Sequence, residues 1–137
     1  MSRMFDYCKA LKEINLSKFN TSQVTNMSSM FRSCSSLLNL DLSSFDTSQV
    51  TNMSYLFAYC DSLKKINLLK FKTDKVTDMS SMFNCCYALK ELNLSTFKTD
   101  KVTKMSDMFH NCTSLKIKCN DGKIKKQYGE DVGCSIV

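Results

Sequence analysis

The chain has 137 residues, enough for one modest domain and too few for two. Apolar residues make up 43% and charged residues 23%, which excludes a disordered polar tail, and no apolar run approaches the roughly 18 residues of a membrane span. The net charge of +6 is carried entirely by residues 64–137, because residues 1–63 are balanced. There is no proline, and the three glycines (Gly122, Gly129, Gly133) lie near the C-terminus, so the rest of the chain turns by other means.

Repetition supplies those means. Phe5, Phe31, Phe57, Phe83 and Phe109 recur every 26 residues, and Cys8, Cys34, Cys60, Cys86 and Cys112 keep the same step. So do the columns beginning at Leu11, Ile14, Leu16, Phe19 and Val24. Within each unit, LKEINLSKF (11–19) alternates Ile14 and Leu16 around Asn15, which predicts a short strand with one buried face. A polar turn follows at Thr21 and Ser22, then a brief extended piece at Val24. In TNMSSMFRSCSSL (25–37), Met27, Met30, Phe31, Cys34 and Leu37 fall at steps of three and four, which predicts a one- or two-turn helix capped by Ser28. Ser, Thr, Asn and Asp side chains bond to nearby backbone and so stand in for Gly and Pro in the turns.

One unit cannot bury its own apolar stripe, but stacked units share a continuous core. The expected fold is an α/β, right-handed, leucine-rich-repeat-like solenoid, with one short parallel strand and one short helix per coil. Residues 1–116 form about four and a half coils, starting in mid-repeat. Met1, Ser2, Met4 and Phe5 already occupy repeat columns, which favours a piece of a longer array over a short product covered by a partner. Residues 117–137 lose the register at Ile117 and Cys119. They read as a C-terminal capping segment, a hairpin or irregular strand with a turn at Asp121–Gly122.

The pattern LxxLxL in LKELNLSTF resembles the strand segment of leucine-rich repeats. The fuller MFRSCSSLLNLDLSSFDTSQVTNMS resembles the BspA-like class, in particular the mycoplasma-type surface-protein repeats of unknown function. The resemblance covers residues 1 to about 116 and implies a cell-surface or secreted bacterial protein that binds host proteins or other cells. No signal peptide opens this chain, so a cytoplasmic location stays open beside that one.

Catalytic patterns are absent from the sequence: there is no glycine-rich phosphate loop, no GxSxG and no HExxH. His110 lies near Cys112, but Cys112 belongs to the core column, so an exposed His is expected rather than a dyad. No cofactor is implied. Of the eight cysteines, five occupy the column. Cys85 is expected to point outward as the reactive thiol, and Cys119 and Cys134 are candidates for a disulfide across the cap. A zinc site from His110, Cys119 and Cys134 lacks any CxxC pair, and no metal is expected.

Function is therefore expected in display: a non-catalytic module whose sheet presents Glu13, Asn15, Asn39, Asp41, Lys65, Asn67, Leu69, Glu91 and Asn93 to a protein partner or glycan, in adhesion or host interaction. The alternative is a self-assembling repeat protein, an end-to-end homodimer stacked through its uncapped N-terminal end. The basic residues Lys72, Lys75, Lys98, Lys101 and Lys104 are interleaved with aspartates and read as a solvated face. Few exposed aromatics are expected for stacking on bases, which argues against nucleic acid.

Overall fold

The computed structural model describes residues 1–113, 115–128 and 134–136, the last as backbone. Its strands are short: β1 (Asn39–Leu40), β2 (Lys65–Ile66), β3 (Glu91–Asn93) and β4 (Leu115–Lys118), followed by α1 (Gly122–Tyr128) and β5 (Cys134–Ile136). Pairing is parallel throughout. Asn39 faces Lys65 at the repeat step, whereas Glu91 faces Lys116 at a step one residue shorter. Ile117 and Cys119 therefore continue the core columns (0% and 1% exposed), and the expected loss of register there is a one-residue deletion. A second line of parallel bridges joins Asn26, Asn52, Asp78 and Lys104 on the opposite side of the coil.

The repeated apolar residues form one core. Phe31, Phe57 and Phe83 are fully buried, and the rings from Phe5 to Phe109 stack at centroid distances of 5.4, 6.1, 5.4 and 5.8 Å. The thiols of Cys34, Cys60, Cys86 and Cys112 each donate to the carbonyl of a column Phe one coil back, at 2.9–3.2 Å. Burial raises the Cys34 thiol to about 11 and pushes Cys60 and Cys86 further up, so these thiols stay protonated donors. In the first coil Phe5, Leu11, Ile14 and Phe19 are half-buried and pack against this core.

The expected helix in each coil is not formed; among the described residues the one α-helix is α1. The segment from Met27 to Cys34 instead alternates two kinds of hydrogen bond. The N–H groups of Met27, Ser29, Phe31 and Ser33 donate to carbonyls of the next coil (2.8–3.0 Å). Those of Met30, Arg32 and Cys34 close local turns onto Met27, Ser29 and Phe31. The four-residue turn period places the same stripe inward as a helix would, which is why the spacing looked helical. Serine-rich segments of this length make marginal helices, whereas a stacked coil offers a carbonyl row to bond instead.

This path requires two left-handed residues per coil. Ser29 and Ser33 have φ of 55° and 58°, and Ser81 and Cys85 repeat them at 54° and 59°. A non-glycine residue there costs about 1 kcal/mol, offset by the inter-coil bonds. Ser81 is buried (4% exposed), and β-branching is excluded at such a φ. Ser81→Val is expected to lose about 2 kcal/mol or more in denaturant unfolding, while Ser81→Gly keeps wild-type stability. A valine variant as stable as wild type would sink this account of the turn.

The threonine column clamps coils together. Thr47 Oγ1 donates to the Lys72 carbonyl (3.0 Å) and accepts from the Lys72 N–H (2.8 Å), and Thr73 does the same with Lys98 (2.9 and 2.8 Å). At the end of the column Thr99 meets a carboxylate instead. Its Oγ1 donates to Asp121 Oδ1 (2.7 Å) and its N–H to Oδ2 (3.0 Å). Asp121 also accepts from the N–H groups of Lys123 and Ile124, capping α1. Ile124 is buried, and Tyr128 packs edge-on against Phe109 (5.1 Å) while its hydroxyl donates to the Met105 carbonyl. The segment after the last repeat is thus a helix between two parallel strands rather than a hairpin.

Candidate functional site

The sheet face divides at one seam. Among the described residues, hydrogen bonding joins β1 to β2, β3 to β4 and β4 to β5, and none pairs β2 with β3. At that seam a trough of about 980 Å³ opens over β2, β3 and β4. Ile66 on its floor is half-buried, whereas its column neighbours Leu40 and Leu92 are buried. It is lined, among the described residues, by five lysines (Lys64, Lys65, Lys90, Lys116 and Lys118) against one carboxylate, Glu91. Among the described residues the ion pairs are Arg32–Asp6 (2.9 Å) and Lys98–Asp74 (2.7 Å), so the five lysines are not neutralised by salt bridges.

The nine expected face residues separate into two kinds. Asn39, Lys65 and Glu91 are exposed on one column of β1, β2 and β3, Glu13 is exposed at the same repeat position ahead of β1 and in no strand, and Leu69 is exposed beyond β2. Asn15, Asp41, Asn67 and Asn93 instead hold the turn that follows each strand. Each accepts from the N–H two residues on, at Ser17, Ser43, Leu69 and Ser95 respectively (2.9–3.1 Å). Of the nine, Lys65, Glu91 and Asn93 line the trough. Lys64, Lys90, Lys116 and Lys118 were missed, although LKIKC alternates Lys116 and Lys118 around Ile117, a period that turns both outward.

Two other expectations are corrected. Cys85 is buried (5% exposed) rather than outward, with its thiol donating to Asn84 Oδ1 (2.9 Å) and accepting from Asn111 Nδ2 (3.4 Å). Its left-handed backbone swings the side chain in against the next coil. Aromatics are also more exposed than expected: Tyr7, Tyr55, Tyr59 and Tyr87 are 39–58% exposed. The Arg32 guanidinium lies over the Tyr7 ring (4.8 Å) while paired with both Asp6 oxygens.

Cys119 is a buried free thiol, and the Cys134 side chain lies outside the described residues. The β4–β5 register sets Cys134 opposite Leu115. Cys119 lies four residues further along, roughly 13 Å at strand rise and beyond the about 7 Å that a disulfide spans, so the expected bridge does not fit this register. His110 is exposed while Cys112 is buried, its thiol donating to the Phe83 carbonyl (2.9 Å), so the two form no dyad.

Stacked parallel strands, column side chains and one open sheet face define a leucine-rich-repeat type of protein. The chain belongs to the family described as "Mycoplasma protein of unknown function, DUF285", whose model matches residues 1–122. The mycoplasma-type resemblance read from the columns is borne out by that match. Among solved structures, the fold is similar to a leucine-rich repeat protein of T. pallidum, at TM-score 0.57 and 19% identity over 85% of this chain. This chain spans about half of that one (50%). A leucine-rich cell surface protein from Faecalibacterium prausnitzii also matches, at TM-score 0.48 and 22% identity over 88% of this chain and 36% of that one. No curated protein matches the chain. Among the described residues no helix is long and apolar enough to cross a membrane.

Proposed function

We propose that the chain is a non-catalytic recognition module, a right-handed solenoid of repeats over residues 1–116 with residues 117–137 as its cap. It binds a protein or glycan partner through the sheet face and serves adhesion at a bacterial surface. The observation that supports this reading most is the trough at the β2–β3 seam: concave, lined by lysines that no described residue pairs in a salt bridge, and carried on a stacked scaffold. Rigid elements carry a binding surface at low entropic cost, and concave surfaces with a few convergent polar groups are where ligands settle.

The test is adhesion of beads coated with the purified chain to host-cell monolayers, beside a Lys65→Ala, Glu91→Ala, Lys116→Ala variant. These three residues are exposed, so the variant should fold and melt as wild type does. Bead retention should fall about fivefold or more, as expected when central contacts of an interface are truncated. Equal retention by the two proteins would overturn the assignment of this face.

A further inference from the structure

Resting on that reading, we infer that the trough takes an acidic polypeptide segment bearing apolar side chains, in extended form. Charge decides the first property. Among the described residues five lysines face one glutamate across adjoining coils, so an anionic occupant gains attraction at every coil and a cationic one is repelled. All five are lysines, point charges without the planar fork that selects sulfate or phosphate geometry, and they accept carboxylates at varied positions.

The second property comes from what lies between and beside the charges. Ile66 is half-buried on the floor. At one edge Leu38, 41% exposed, precedes Lys64 in its column, and Lys64 N–H donates to the Leu38 carbonyl (3.0 Å). Ala88, itself only half-buried, also lines the trough. Such apolar contacts reward a peptide with aliphatic side chains and give a sulfated polysaccharide nothing to bury. A peptide that carries acidic and aliphatic side chains in close succession meets both sets of contacts, since Ile66 and Ala88 lie among the lysines.

The probe is a fluorescein-labelled peptide alternating Glu and Leu, followed by fluorescence anisotropy. Its counterparts are a Gln–Leu peptide, poly-glutamate and heparin. The Glu–Leu peptide should bind at least about tenfold tighter than the Gln–Leu peptide, and more weakly as salt is raised. Lys65→Glu with Lys116→Glu should lower its affinity about tenfold or more, while Lys101→Glu with Lys104→Glu, the same charge change away from the trough, leaves it unaltered. Equal loss in both variants would mean general electrostatics and would overturn the site. Poly-glutamate or heparin binding as tightly as the Glu–Leu peptide would replace the peptide by any anionic polymer. No binding of the Glu–Leu peptide, with bead adhesion still abolished by the Lys65, Glu91 and Lys116 replacements, would refute this ligand class and leave the recognition face standing. Loss of neither would refute both.

Discussion

Phe57→Ala should unfold at markedly lower denaturant, with stability reduced by about 3–5 kcal/mol. The ring is fully buried at the centre of the aromatic column, stacked on Phe31 at 6.1 Å and on Phe83 at 5.4 Å. Its removal leaves a cavity that cannot collapse, because the coils on either side are fixed by the N–H row and the threonine clamps. Phe5→Ala gives the internal comparison. Phe5 stacks on Phe31 (5.4 Å) but is half-buried, so its loss should cost clearly less. Stability in stacked repeats is the sum of each unit and its interfaces, and a central lesion weakens two interfaces where a terminal one weakens one. Similar losses for Phe5→Ala and Phe57→Ala in urea titrations would contradict this nearest-neighbour picture.

Asp121→Ala is expected to cost about 2–3 kcal/mol at neutral pH, from the loss of charge-assisted bonds and a helix cap. Four donors converge on this carboxylate, two from Thr99 and two from the first turn of α1. Burial acts to raise its pKa, but the Thr99 hydroxyl and the N–H groups of Ile124, Thr99 and Lys123 outweigh burial and hold it below the usual range. An unfolded aspartate titrates at about 3.9, so this contribution is fully present above that pH and is lost as pH falls through the lower folded value. The gap between wild type and Asp121→Ala should therefore narrow on acidification below about pH 4. A gap of the same size at pH 7 and pH 3 would show that packing of α1, not the carboxylate, holds the end of the array.

The two predictions draw on different information. Everything that makes Phe57 central is in the columns: a residue type recurring at one step identifies the core, the direction of stacking and the outward positions between Leu and Ile. Glu13, Asn39, Lys65 and Glu91 share one repeat position by that logic, and all four are exposed, the last three on strands. The role of Asp121 was not legible. It required the one-residue deletion within β4, between Leu115 and Ile117, and the helix after it, which bring the carboxylate to the end of the threonine column.

By itself, then, the sequence determined the repeat, its period, the buried columns and the strand face, because hydrophobic periodicity is a local property that every coil restates. Tertiary structure decided the rest. The apparent helices became left-handed turns because a neighbouring coil offers carbonyls that an isolated segment lacks. Half the anticipated face became turn-holding Asn and Asp, since their side chains find an N–H two residues on before they find a ligand. The seam between β2 and β3 exists where adjoining coils fail to complete their hydrogen bonds, and five lysines remote in sequence come to share one trough there. Such a gap is a relation between coils, and no single repeat encodes it.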